Sequence, residues 1–241
     1  MDYPTVFGII GLAALIHASF QLSVSMVTLL SGHSLGSKAR SNHTMALVGA
    51  FFAGVVVMTM LSVSFLAYLG EQLFRHGVPQ LVWSVVAGLS MGLGVAVWAF
   101  YYRRGKSGTS LWLPRTMARF LSERTKATAN TAESFSLGIA SVLAEGIFIV
   151  APASAAALAM IHLPAPLQLA GMVLYTAIAS LGILLVIMLI GSGHKLSHIQ
   201  RWREENKRFL QFAAGSALLV LGFYVYVNEV VAAAALARGG M

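Results

Sequence analysis

The chain contains no cysteine, and only 10% of its 241 residues are charged. Without cysteine it forms no disulfide, iron–sulfur cluster, thiolate zinc site or thiol redox relay. A soluble domain has about a quarter of its residues charged, so the low charge argues against one. The sequence also lacks a phosphate-binding glycine loop, a serine-nucleophile motif and an HExxH motif. It therefore predicts no cofactor, no metal site and no hydrolase.

Apolar residues dominate instead: 58% of the chain is hydrophobic, with a mean hydropathy of +0.79. A helix needs about 20 predominantly apolar residues to cross a bilayer. Six stretches meet that length, and they predict an all-α integral membrane protein with six transmembrane helices. The predicted spans are Thr5–Leu30, Ala46–Leu69, Gln80–Tyr102, Ser134–Ile161, Pro166–Ile190 and Phe209–Ala235.

Lysine and arginine are distributed unevenly among the loops. All of them except Arg75 and Arg238 lie in the loops that follow spans one, three and five. Basic loops face the cytoplasm, so this bias predicts that both termini are outside. It also explains the net charge of +8 without a nucleic-acid partner. We expect a bacterial plasma-membrane protein whose partners are the lipid bilayer, a small solute or ion, and a second copy or another membrane protein.

An internal repeat relates the two halves of the chain. An offset of 128 residues places LIHASF (15–20) on LAEGIF (143–148) and Gly54 on Gly182. An offset of 127 places Ala87-Gly88 on Ala214-Gly215. Each unit has three spans, so the two units have opposite orientations, a signature of secondary transporters. The predicted domains are residues 1–105, a cytoplasmic linker at 106–132, and residues 133–241.

The linker contains apolar residues at helical spacing. Leu113, Met117, Phe120 and Leu121 fall on one face, while Arg115 and Arg119 fall on another. This pattern predicts either an amphipathic helix on the cytoplasmic leaflet or a connecting helix folded onto the bundle.

The fourth span carries the strongest candidate for a functional site. Glu145 lies near its middle, and a carboxylate at that depth usually faces a protein interior or a wet cavity. Pro152 interrupts the helical hydrogen bonding two turns later. The repeat places His17 of the first span opposite Glu145, so we expect both near the midplane, where such folds bind substrates and coupling ions.

Other polar residues accompany this pair. His17, Gln21 and Ser25 form one stripe on the first span, and Ser141, Glu145 and Pro152 share a face of the fourth. They predict a small hydrated site that binds a proton, a cation or an amine. The alternative is that they are hydrogen bonds between helices, each contributing roughly 0.6–2 kcal/mol. Gly88, Gly92, Gly94 and Gly215 are predicted to allow close helix packing.

This architecture resembles the lysine exporter superfamily, which includes the thiol–disulfide transporters of the CcdA/DsbD type. The closing stretch KRFLQFAAGSALLVLGFYVYV, with its basic start and G-x6-G spacing, is similar to the last helix of those proteins. The thiol–disulfide members carry a cysteine in the first helix of each repeat. The comparable stretches here, QLSVSM and VAPASA, keep Pro152 but contain no thiol. The resemblance implies transport of a small solute or ion without electron transfer.

The sequence supports three functional hypotheses. The leading one is a secondary transporter, a proton-coupled exporter rather than an enzyme, with its site between the first and fourth helices. The second is a non-transporting membrane subunit or scaffold of a larger complex. The third is a membrane enzyme that acts on a lipid head group. About 12 residues, or roughly 18 Å, separate His17 from the start of its span, which favours mid-depth over the interface.

Overall fold

The computed structural model describes residues 1–19, 38–75, 77–101, 123–192 and 205–239, with positions 24, 26, 27, 30, 121, 201 and 202. Every regular element in these ranges is helical. The α-helices are α1 (Tyr3–Ser19), α2 (Lys38–Leu73), α3 (Gln80–Ala96), α4 (Thr131–Met160), α5 (Ala165–Ala179), α6 (Leu181–Gly191), α7 (Lys207–Val225) and α8 (Ala232–Gly239). Two π-helical segments, Val97–Tyr101 and Tyr226–Val231, extend α3 and α7.

Four stretches are long and apolar enough to cross a membrane: Asn42–Leu73, Gln80–Ala99, Thr131–Met160 and Arg208–Ala235. A fifth exists if α5 and α6, which are bent by 48° at Ser180, form one span. The apolar helix α1 is shorter in its described part. The prediction of an all-helical, membrane-embedded chain is confirmed, whereas the count of six spans stays a prediction.

The helix starts have local causes in the sequence. Asn130 caps α4, because its side chain accepts a hydrogen bond of 2.8 Å from the backbone N–H of Glu133. Pro79 and Pro164 directly precede α3 and α5, in extended conformations that a helix interior does not allow. These signals follow from the residue types alone, and the predicted starts of the corresponding spans lie within a few residues of them.

Helix α4 is the centre of the bundle, since it packs against α1, α2, α3 and α5. It is also the most buried of the candidate spans. Its closest neighbour is α2, where two glycines face each other. A Cβ at Gly138 would collide with the carbonyl oxygen of Phe51, and a Cβ at Gly54 would collide with that of Phe135. Only glycine permits the two backbones to approach this closely.

The helices of the two halves alternate in space. In the described part of the chain, α1 packs chiefly against α4, α5 and α7, while α2 packs chiefly against α4 and α5. Helix α3 packs against α7 and α4. The first three helices therefore bury their surfaces mainly on helices that come later in the sequence.

The first helices of the two predicted repeats share one burial pattern. The buried residues of α1 are Val6, Ile9, Ile10, Ala13, Ala14, Ile16 and His17. Adding 128 to each number gives the buried residues in the first half of α4, which are Ser134, Leu137, Gly138, Ser141, Val142, Ala144 and Glu145. Because most of the side chains differ, the agreement lies in the packing rather than in residue identity.

The last helices of the two halves, α3 and α7, make a reciprocal contact. A Cβ at Gly94 would lie 2.8 Å from the carbonyl oxygen of Gly215 and 3.1 Å from the backbone nitrogen of Leu219. A Cβ at Gly222 would meet the same two kinds of atom, at 2.8 and 3.0 Å, on residues 128 positions earlier: Ala87 and Met91. Such an exchange of identical contacts is the mark of a two-fold relation. The π-helical segments follow these glycines in both helices.

The reciprocal contact predicts equal effects from two distant substitutions. We expect G94A and G222A each to lower the free energy of unfolding by about 1–3 kcal/mol, because each adds a methyl group against backbone. The two losses should agree within about 0.5 kcal/mol if the contacts are equivalent. Unfolding in detergent micelles measures both, and G92A is the control because a Cβ there meets nothing within 4 Å. Losses that differ severalfold would contradict the equivalence.

The glycine predictions are therefore confirmed in part. Gly94 and Gly215 lie at the contact between α3 and α7, as expected. Gly88 and Gly92 do not pack closely, since a Cβ at either would have open space, and for these two the prediction was wrong. The predicted linker helix lies largely outside the described residues. Leu121, from its apolar face, is buried in the protein core.

Candidate functional site

The buried apolar residues form two clusters rather than one. The first contains the α1 residues up to Ile16, the α4 residues from Ala153 onwards, and Ala179. The second contains the α4 residues up to Ile149, together with Val24 and Ile183. Each of these helices therefore passes from one cluster to the other part-way along its length.

Buried polar side chains mark this passage on four segments. His17 directly follows Ile16, and Ser180 lies between Ala179 and Ile183. On α2, Thr59 lies between Val55 of the second cluster and Val63 of the first. On α4, Glu145 precedes the last second-cluster residue by one turn. We call these four residues, His17, Thr59, Glu145 and Ser180, the polar layer.

His17 is held by a partner on another helix. Its Nδ1 atom lies 3.0 Å from the hydroxyl oxygen of Tyr175 on α5, and both side chains are buried. The rings are tilted by 57°, with centroids 5.7 Å apart. A buried tyrosine hydroxyl usually finds such a partner. The hydrogen bond fixes the orientation of the imidazole and ties α1 to α5 at the polar layer.

Glu145 is only 3% exposed, in the most buried of the candidate spans. One turn earlier, Ser141 is buried and donates its hydroxyl proton to the carbonyl oxygen of Gly138, 2.8 Å away. That bond stays within α4, so the Ser141 hydroxyl stabilises its own helix. Pro152 is also buried, and α4 runs through it as a single helix from Thr131 to Met160.

The predicted site residues are thus placed to different extents. His17, Ser141, Glu145 and Pro152 are all buried in the bundle, on the two helices that were expected to contact each other. Gln21 and Ser25, the other members of the α1 stripe, lie outside the described residues. That the stripes of α1 and α4 form one binding site stays a prediction.

Three residues of this region were missed by reasoning from the sequence: Thr59, Tyr175 and Ser180. A signal for two of them exists, because Tyr175, Thr176 and Ser180 are polar residues within an apolar span of the length that crosses a bilayer. Thr176 is explained locally, since its hydroxyl donates to the carbonyl oxygen of Met172 at 2.8 Å. Ser180 has no such explanation.

The charge of the buried region has one sign. Among the buried side chains of the described residues, Glu145 is the only carboxylate, and there is no lysine or arginine. A buried anion on a solute would therefore find no cationic side chain to pair with in this part of the chain. The arrangement suits a proton, a cation or an uncharged polar group.

The hydrogen bond between His17 and Tyr175 predicts a stability effect. We expect Y175F to lower the free energy of unfolding by about 0.6–1.7 kcal/mol, the range for hydrogen bonds between membrane helices. Y68F removes the hydroxyl of an exposed tyrosine on α2 and should have no effect. Unfolding of both variants in detergent micelles checks the prediction. Equal stability of Y175F and Y68F would mean that the bond contributes nothing.

Comparisons of the chain with family models, with curated proteins and with solved structures found no match.

Proposed function

We propose that this protein is a proton-coupled secondary transporter of a small solute or ion. In this proposal six spans form two inverted three-helix repeats in the plasma membrane, with both termini outside. The polar layer is the binding site, and Glu145 and His17 exchange the coupling proton. Export as the direction of transport rests on the resemblance to the lysine exporter superfamily.

The repeat is supported by two independent kinds of contact. The buried positions of α1 recur in α4 at an offset of 128 residues, and the glycine contact between α3 and α7 is exchanged at the same offset. The bias of basic residues towards three loops supports an opposite orientation of the halves. Folds with inverted repeats bind substrate near the midplane, at the interface of the repeats.

One observation carries the functional proposal. His17 and Glu145, the two ionisable side chains that are buried among the described residues, occupy equivalent positions 128 residues apart. Ionisable residues inside a membrane are rare because burial is costly, and they commonly mark ion or proton pathways. Both residues lie at or beside the boundary between the two apolar clusters, far from the ends of their helices.

Flux in proteoliposomes tests the proposal. Purified protein is reconstituted with a pH-sensitive dye inside, and small cations, amines and uncharged polar solutes are added one at a time. We expect at least one solute to move protons across the membrane, and to do so only when the protein is present. Absence of flux across the whole panel would favour the scaffold hypothesis. Chemical change of a lipid head group would favour the enzyme.

A further inference from the structure

The bend between α5 and α6 is the one place where the two halves of the bundle differ sharply within a shared packing frame. Tyr175, Thr176, Ala179 and Ile183 are buried. So are the residues 128 positions earlier on α2, which are Leu47, Val48, Phe51 and Val55. Yet α2 is one continuous helix through this region, whereas the later segment bends by 48° at Ser180. Packing of this kind therefore does not require a bend.

Local chemistry explains how the bend forms. Thr176 hydrogen-bonds back to Met172, a contact that bends helices, and Ser180 is followed by Gly182. The backbone remains bonded on both sides: Ser180 donates to Thr176, and Leu184 donates to Ser180, each at 3.0 Å. The bend thus turns the segment without releasing the backbone groups of Ser180 itself.

The hydroxyl of Ser180 is the unexplained feature of this bend. Among the buried side-chain polar atoms in the described ranges, it alone has no hydrogen-bond partner. Most buried serines and threonines on the other helices donate to a backbone carbonyl three or four residues earlier, as Ser90 and Ser141 do. A buried hydroxyl without a partner costs about 1–3 kcal/mol, so its presence needs a reason.

Resting on the proposed function, we propose that the Ser180 hydroxyl is a solute-binding group that faces a water-filled pathway when the bundle opens. Ser180 belongs to the polar layer with Glu145 and His17, where the two apolar clusters meet. The bound group is an uncharged or cationic polar group that hydrogen-bonds to the hydroxyl. An anion is disfavoured, because the buried side chains of the described residues include a carboxylate and no lysine or arginine. In the structure the hydroxyl is occluded.

The absence of cysteine makes the proposal directly testable without knowledge of the solute. A single-cysteine variant, S180C, is reconstituted in liposomes and treated with membrane-impermeant thiol reagents of positive and of negative charge. An open state of a two-state protein is often populated at about 0.1–10%. The S180C thiol should then react about 10- to 1,000-fold more slowly than an exposed thiol, but completely, and faster with the cationic reagent.

Matched variants set the scale of this measurement. E71C places the thiol at an exposed position on the last turn of α2 and gives the fast limit. A156C, buried in the first cluster, and L185C, on the exposed face of α6, should not react with charged reagents. If S180C does not fold, T176C presents the same face one turn earlier. Modification of S180C should also block any flux that the unmodified variant supports.

The outcomes separate the two proposals. An S180C thiol as inert as that of A156C, in a protein that carries flux, would overturn the role of Ser180 and leave transport intact. Reaction of S180C without flux for any solute would overturn transport while showing that water reaches the layer. Faster reaction with the anionic reagent would contradict the proposed class of solute.

Discussion

Replacing Glu145 with glutamine is expected to abolish proton-linked flux in proteoliposomes. Glutamine has nearly the same shape and still forms hydrogen bonds, but it carries no exchangeable acidic proton. Glu145 is buried in the central helix, so the packing of α4 should survive the change. Loss of a proton-transfer group lowers rates by roughly 10²-fold or more, and we expect a loss of that size.

The matched control is E71Q, the same substitution at an exposed position on α2. It should transport as the wild type does. Both variants should elute from size exclusion as the wild type does, so that lost activity is not lost folding. Unchanged flux through E145Q would show that the protein transports by a route that does not use this carboxylate.

The largest expected loss of stability is that of G138A. A methyl group at this position meets the carbonyl oxygen of Phe51 and crowds Gly54, so α2 and α4 must move apart. Backbone cannot move aside as a flexible side chain can. We therefore expect a loss in the upper part of the roughly 1–3 kcal/mol range for overpacking, with a lower thermal midpoint in detergent.

Gly146, eight residues later on the same helix, supplies the control. A Cβ there meets nothing within 4 Å, and alanine is a better helix former than glycine by about 1 kcal/mol. G146A should therefore be as stable as the wild type or more so. If G138A were equally well tolerated, the two backbones would not be in the close contact described for them.

The sequence predicts the helices of this fold well, because its signals for them are local. Long apolar runs and the proline residues before α3 and α5 set the helical segments within a few residues. The burial of Glu145 and His17 also follows from a simple energetic rule. The offset of 128 residues, inferred from a few matching letters, coincides with the offset of the shared burial pattern.

Other features depend on which faces meet, and no local signal carries that. Gly88, Gly92 and Gly94 look alike in the sequence, yet only Gly94 faces α7 closely. The partner of His17 is 158 residues away, on a helix that showed no paired motif. The bend at Ser180 arises from a serine and a glycine in an apolar run, a combination that also occurs in straight membrane helices.

The alternation of the two halves has a consequence for biosynthesis. A chain made at the ribosome releases α1, α2 and α3 well before α4 exists, yet these helices pack mainly on later ones. Membrane helices can insert singly and associate afterwards. The first three must therefore wait in the bilayer with their packing faces, including Gly54 and Gly94, against lipid or a chaperone. The 106–132 linker separates insertion from assembly in time, and only the emergence of α4 lets the bundle close.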